Sequence, residues 1–214
     1  MDDGPALAAI YEPAVIGSVI SFEVVAPDGD EMARRVERTI VRTPWLVCEH
    51  CGAVVGYAYA STHRERQAYQ WSVDVSAYVS ADVRRAGVAR ALYTSLFAVL
   101  VLQGFRNAYA GITLPNAASV GLHESVGFTP VAVYRGVGYK LGAWHDVAWL
   151  ERALAPRIAE PPIPTSLSVV RDTAAVCAAI VEGQPLLRLS IGPVGDRECG
   201  SGRASTASPS TSDS

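Results

Sequence analysis

The chain has 214 residues, half of them apolar and 18% charged, with a formal net charge of −3. That balance belongs to a soluble globular protein with one sizeable core, and it lacks the basic stripe and high pI of a nucleic-acid binder. The acidic start, Met1-Asp2-Asp3-Gly4, is neither a secretory signal nor a transit peptide. The longest uncharged apolar run, from Ala91 to Phe105, falls short of the roughly 20 residues a bilayer requires. A cytoplasmic protein with no membrane or nucleic-acid partner is expected.

Ala6 to Tyr11 reads as a short helix and Val19 to Val24 as an extended piece. Asp28-Gly29-Asp30 supplies cap candidates for a helix from about Glu31 to Arg42, whose Met32, Ala33, Val36 and Ile40 share one face. Two β-rich arms, Pro44 to Val47 and Ala53 to Ala60, flank Cys48-Glu49-His50-Cys51. That motif is open to two readings. It is half of a zinc or redox site, or a hairpin turn that carries two thiols, since Cys177 and Cys199 stand isolated. Trp71 to Val79 alternates, with Trp71, Val73, Val75, Ala77 and Val79 on one side and Ser72, Asp74, Ser76 and Tyr78 on the other. A half-buried strand with a carboxylate on its polar face follows from this period.

Val83 to Phe97, VRRAGVARALYTSLF, then opens a helix that reaches about Leu102 and stops at Gln103-Gly104. A helix start has N–H groups without intrahelical partners and carries partial positive charge. The small residues Ala86, Gly87 and Ala89 let a ligand approach those groups, and Arg84, Arg85 and Arg90 add cationic side chains. This is a phosphate site, or equally an ordinary surface loop with solvated arginines. It lacks both the Gly-Lys-Ser/Thr ending of a triphosphate loop and a full GxGxxG.

Asn107 to Thr113 reads as a strand. Asn116 caps a helix to about Val126, with Gly127 as its stop, and strand-like runs follow near Val131 to Tyr134 and Asp146 to Leu150. After Ala155 four prolines crowd together (Pro156, Pro161, Pro162, Pro164), and Gly200 to Ser214 is mostly Ser, Gly, Thr and Ala. Only Arg171 to Glu182 there has helical character. Residues 1–155 are therefore expected to form one compact α/β (α+β) domain, and residues 156–214 a largely disordered tail.

Arg84 to Ala89 has the form Arg-x-x-Gly-x-Ala after a strand, which resembles the pyrophosphate-binding motif of the GNAT acetyltransferase superfamily. Four blocks narrow the likeness: PWLVCEHCGAVVGYAYA, ERQAYQWSVDVSAYVS (Glu65 to Ser80), GITLPNAASVGLHESVGF (Gly111 to Phe128) and RGVGYKLGAWHDV (Arg135 to Val147). In order and nearly without gaps, they are similar to the phosphinothricin N-acetyltransferase family. The likeness spans about Ala6 to Leu150 and sets Cys48 to Cys51 in a hairpin turn.

The resemblance implies a mixed, twisted sheet flanked by helices, with acetyl-CoA between two splayed strands and no metal. The family's first strand has no counterpart, which would leave an unpaired sheet edge. Carried onto this chain, Ala77, Tyr78 and Val79 would offer backbone groups to the pantetheine arm. Arg84, Arg85, Ala86, Gly87, Val88, Ala89 and Arg90 would cradle the pyrophosphate, and Asn116 would hydrogen-bond the cofactor. The family's base position falls on Asp74, where the family pattern is Glu. The side chain is one methylene shorter, so a bridging water is expected. His123 matches the family's active-site histidine, and Tyr93 is a candidate donor to the leaving thiolate. Arg66 and Tyr69, and more weakly Phe22, would line the acceptor site. The implied activity is acetyl transfer to a small amino-acid-like amine by a homodimer. The alternatives are another amine, such as a protein N-terminus or an antibiotic, or an acyl-CoA-binding module without catalysis.

Overall fold

A computed structural model describes residues 3–189 and 203–206. The helices are α1 (Gly4–Ile16), α2 (Gly29–Ile40), α3 (Val88–Gln103), α4 (Ala117–Ser125), α5 (Leu167–Val170) and α6 (Ala174–Val181). The strands are β1 (Trp45–His50), β2 (Ala53–Thr62), β3 (Ser72–Val79), β4 (Asn107–Thr113), β5 (Thr129–Lys140), β6 (Ala143–Ala153) and β7 (Arg203–Thr206). They form one mixed sheet in the order β5-β6-β4-β3-β2-β1-β7, antiparallel throughout except between β3 and β4.

The central strands of the sheet are covered on both faces. On one, Leu92, Leu96 and Leu100 of α3 pack on Val73, Val75, Ala108 and Ile112. On the other, Leu7 and Tyr11 of α1 with Met32 and Val36 of α2 cover Trp45, Val47 and Tyr57. Helix α2 starts where the sequence places its cap, with Asp28 accepting from the Glu31 amide at 2.8 Å. Helix α3 is bounded by Gly87 and Gly104, both in the left-handed region, where a side chain would be strained.

The parallel ladder is short. It pairs Ser72 with Asn107, Val73 with Ala108 and Asp74 with Tyr109, and then ends. Past that point β3 stays on β2 as far as Val79, while β4 stays on β6 as far as Thr113. The two strands part, and Asp74 sits at the point of the wedge.

Several elements differ from the sequence reading. Helix α1 runs through Pro13 to Ile16 because its face of Leu7, Tyr11, Ala14 and Val15 is buried. Packing there outweighs the lost backbone bond. Val19 to Val24 forms no strand. Its backbone is committed to tertiary contacts: the Ser21 amide donates to Ala14 O at 3.1 Å, and Lys140 Nζ donates to Ser21 O at 2.7 Å. Strand β5 is far longer than the expected run and forms a hairpin with β6, irregular between Tyr134 and Gly138 where glycines interrupt the apolar pattern. Cys48 to Cys51 spans the end of β1 and its turn into β2. Cys48 is buried and a free thiol, its pKa pushed up to about 11 by burial, which makes it a poor nucleophile.

The expectation of a largely disordered 156–214 is corrected over residues 156–189. Leu167, Val176 and Ala179 form a small core with Val99 of α3. The proline-rich approach is pinned by the Trp71 indole, which donates to Pro162 O at 2.8 Å, and by Gln103 Nε2, which donates to Arg42 O at 2.7 Å and Thr165 O at 2.8 Å. Composition alone carries no trace of these long-range anchors. Residues 190–202 and 207–214 lie outside the described residues. The edge of β1 expected to be unpaired carries β7, in register from Leu46 with Thr206 to Glu49 with Arg203.

Leu167 is 1% exposed, so a Leu167→Ala variant should lose about 2–4 kcal/mol of unfolding free energy in urea titration. A loose segment would show a change within about 0.5 kcal/mol.

Candidate active site

The alternation of β3 sends Val73 and Val75 into the α3 core and Asp74 to the opposite face, beside Ser61 of β2 and Tyr109 of β4. The Asp74 carboxylate is not alone there. His63, the first residue after β2, places Nδ1 2.6 Å from Asp74 Oδ1. An ionised carboxylate only accepts, so Nδ1 donates. The imidazole is stacked on Tyr109, with ring centroids 4.4 Å apart and planes 19° from parallel. Tyr69 and Trp149 meet it edge-on at 5.9 and 6.2 Å. Burial raises the pKa of Asp74 above its ordinary 3.8, and the His63 hydrogen bond pulls it back.

The approach to this cluster is cationic. Arg64 donates to His63 O at 2.8 Å and lies 5.7 Å from the Trp149 ring centroid. Arg66 is exposed and precedes the short turn Gln67–Tyr69, and Tyr69 is 43% exposed. Trp149 Nε1 is buried with no hydrogen-bond partner among the described residues. Neither His63 nor Trp149 stood out in the sequence. A single histidine past a strand end has no periodicity, and its one signal is its place on the Asp74 side of the β2–β3 hairpin.

The loop before α3 turns sharply and makes few backbone hydrogen bonds of its own. Arg85 has φ +64° and Gly87 φ +81°. The amides of Arg85, Gly87, Val88, Ala89 and Arg90 make no hydrogen bond to another described residue, whereas the Ala86 amide donates to Val83 O at 3.3 Å. Such a row of free donors at a helix start fits a diphosphate. Arg84 and Arg85, with His50, Asp82 and Arg188, line an adjoining cavity of about 340 Å³. Beyond the last paired rung Ala77 and Val79 lean on the α3 core, and Tyr78 packs edge-on against Tyr11 at 4.8 Å. Asn116 caps α4, its Oδ1 accepting from the Ser119 amide at 3.0 Å.

Residues 183–189 lie across this loop. The Arg188 amide donates to Ala86 O at 2.8 Å, and a Cβ on Gly87 would collide with Leu186 O. Gly183 donates its amide to Ser95 Oγ at 3.0 Å, and a Cβ there would collide with Ala91 O.

Tyr93 and His123 are brought to each other and not to Asp74. Tyr93 is wholly buried in the α3 core and its hydroxyl lies 2.9 Å from His123 Nε2. His123 Nδ1 is 2.7 Å from Ser119 O. A carbonyl only accepts, so Nδ1 donates and Nε2 accepts from the phenol. Both imidazole nitrogens are thereby engaged on the sheet face opposite Asp74. Phe22 is also apart from the cluster, its ring filling the space over Gly138, 6.4 Å from the His145 ring.

Residues 2–149 match the family described as acetyltransferase (GNAT) domain. The chain is 38% identical over 162 residues to phosphinothricin N-acetyltransferase of Streptomyces viridochromogenes, covering 76% of this chain and 87% of that protein. It is 33% identical over 153 residues to L-methionine sulfoximine/L-methionine sulfone acetyltransferase of Salmonella typhimurium, covering 71% and 90%. Among solved structures, a GNAT superfamily phosphinothricin acetyltransferase from Sinorhizobium meliloti in complex with AcCoA is similar with a TM-score of 0.71 and 34% identity, over 75% of this chain and 88% of that one.

Burial lowers the pKa of His123 below its ordinary 6.5. The unfolded chain then takes up a proton near pH 6.5 that the folded chain resists. The stability contributed by the neutral ring is complete above that pH and declines as pH falls below it. The urea midpoint should drop with acidification across this window, and more steeply than in a His123→Gln variant measured alongside.

Proposed function

Because the chain belongs to the GNAT acetyltransferase family, we propose that it acetylates the α-amino group of a small amino-acid-like acceptor of the phosphinothricin or methionine sulfoximine type. Its reaction is acetyl transfer to an amine from acetyl-CoA. The observation that carries the acceptor reading is the Asp74–His63 cluster at the parting of β3 and β4, with arginines at its approach.

Acetyl-CoA supplies the acetyl group as a thioester. The free amides of Arg85 and of Gly87 to Arg90 would hold its diphosphate, with Arg84 and Ala86 in the same loop, and the edge of Ala77, Tyr78 and Val79 that faces away from β2 would run beside its pantetheine arm. Asp74 belongs to the base. An α-ammonium group of pKa roughly 8 has no lone pair until it loses a proton, so a proton acceptor at the vertex raises the rate at neutral pH. Arg66 offers a fork suited to a carboxylate or phosphinate. The unpartnered Trp149 indole N–H is a further donor of the kind an acidic acceptor would satisfy. Tyr69 and Tyr109 wall the cluster through their contacts with the His63 ring. For Tyr93 and His123 the buried hydrogen bond supports a positioning role, fixing α4 on α3.

Coenzyme A release, read with a thiol reagent, tests the reading across phosphinothricin, methionine sulfoximine, methionine sulfone, a peptide N-terminus and an aminoglycoside. Turnover is expected with the amino-acid analogues and not with the last two. Asp74→Asn should lower kcat by about 10²–10⁴-fold while calorimetric affinity for acetyl-CoA is unchanged. Release with the peptide alone would overturn the acceptor, and undiminished kcat in the variant would overturn the role of Asp74.

We further propose that the chain is a homodimer joined through the β5–β6 hairpin. Val131, Val133, Val137, Tyr139 and Trp144 are 41–68% exposed there, a larger cluster of open apolar side chains than a lone surface residue. Sedimentation should give a dimer that Tyr139→Glu converts to monomer; a monomeric parent protein would overturn the proposal.

A further inference from the structure

We propose that His63 is the general base of acetyl transfer and that Asp74 acts through it as a positioning residue. This rests on the acetyl-transfer reading above and assigns the proton to a different atom. The imidazole spans the last rung of the parallel ladder: it is hydrogen-bonded to Asp74 on β3 and stacked on Tyr109 of β4, the two residues paired where the strands part. Contact with both sides of the wedge fixes the ring in position and tilt. Tyr69 and Trp149 close its edges.

The chemistry follows from the tautomer. With Nδ1 donating to Asp74, the neutral ring has its lone pair on Nε2. Among the described residues Nε2 has no hydrogen-bond partner. One carboxylate oxygen of Asp74 is thus already used, and among the described residues the basic nitrogen lone pair at the vertex belongs to His63. His123, by contrast, has both nitrogens occupied. Asp74 also has a shorter reach than Glu by about one methylene, roughly 1.3–1.5 Å, and base catalysis needs contact within about 3 Å. An imidazole interposed between carboxylate and amine makes up that reach without a water.

In the step, Nε2 takes a proton from the acceptor ammonium, which leaves a neutral amine. Asp74 stabilises the resulting imidazolium through the retained Nδ1–H bond. The amine nitrogen then bonds the acetyl carbon and the C–S bond breaks with its electron pair going to sulfur. The second proton of the nitrogen goes to the thiolate, and the imidazolium releases its proton to water. The titratable groups around the ring are Asp74, Tyr109 and Tyr69, with Arg64 over Trp149.

The test compares the full-length protein with His63→Phe, which keeps the stacked ring and removes both nitrogens, and with His63→Ala. Kinetics use coenzyme A release with an acceptor that the parent enzyme turns over. His63→Phe should lower kcat by about 10²-fold or more, with acetyl-CoA affinity unchanged, and should lose the acid limb of the kcat profile. Added imidazole should restore part of the His63→Ala rate, which a purely structural role would not allow. A second readout needs no turnover: the His63 Nδ1 proton should resonate far downfield in the free protein and vanish in Asp74→Asn. A His63→Phe enzyme within twofold of the parent, or an Nδ1 resonance indifferent to Asp74→Asn, would overturn the assignment alone. A parent protein that releases no coenzyme A with any amine would overturn the acetyl-transfer reading, and the base with it.

Discussion

The parallel ladder between β3 and β4 stops at Asp74 and Tyr109, and the rest of the molecule is arranged around that stop. Had the pairing continued to Val79 and Thr113, the sheet would be closed and its two strands would satisfy one another's backbone groups. Each strand instead keeps its outer antiparallel neighbour, β2 for β3 and β6 for β4. The inner groups past the vertex have no strand across from them. Unpaired backbone is costly when buried, so a wedge of this kind is an open berth for an extended polar ligand. The vertex is also where alternation delivers Asp74 to one face and Val73 and Val75 to the other, so chemistry and packing are separated by a single residue step.

The helix that begins beside the wedge supplies the second half of the binding logic. Gly87 ends the loop in a conformation that aims successive amides outward, and α3 buries a long apolar face that holds this start in place. Rigidity comes from the core and recognition comes from the loop. The Tyr93–His123 bond belongs to the rigid half. It joins α3 to α4, whose first turn is capped by Asn116, so the far wall of the wedge is tied to the near one through a buried hydrogen bond.

Much of this was legible in the chain. The period of two in Ser72 to Val79 and the small residues before a long apolar helix are local signals with direct mechanical meaning, and they located β3, the loop and α3. The Asp28 cap, the Asn116 cap and the Gly104 stop were readable for the same reason. What was not legible depends on partners distant in sequence. His63 acquires its role only because Asp74 and Tyr109 meet it across two other strands. Helix α1 outlasts Pro13 because a tertiary face is buried. The proline-rich stretch after Ala155 is held by Trp71 and Gln103, residues 62 or more positions away. Tyr93 and His123 could be picked out as candidates for proton transfer, but their burial against each other could not, because it joins two helices 30 residues apart in sequence.

The crossing of residues 183–189 over the first turn of α3 ties two equilibria together. Gly87 and Gly183 each lack a side chain where the other segment's neighbourhood would reject one, so the two backbones meet without slack. A ligand whose docking displaces the Gly87 backbone must strain or release Leu186 in the same motion. By reciprocity of linkage, whatever free energy that costs or gains is returned as an equal change in how firmly the distal segment holds on.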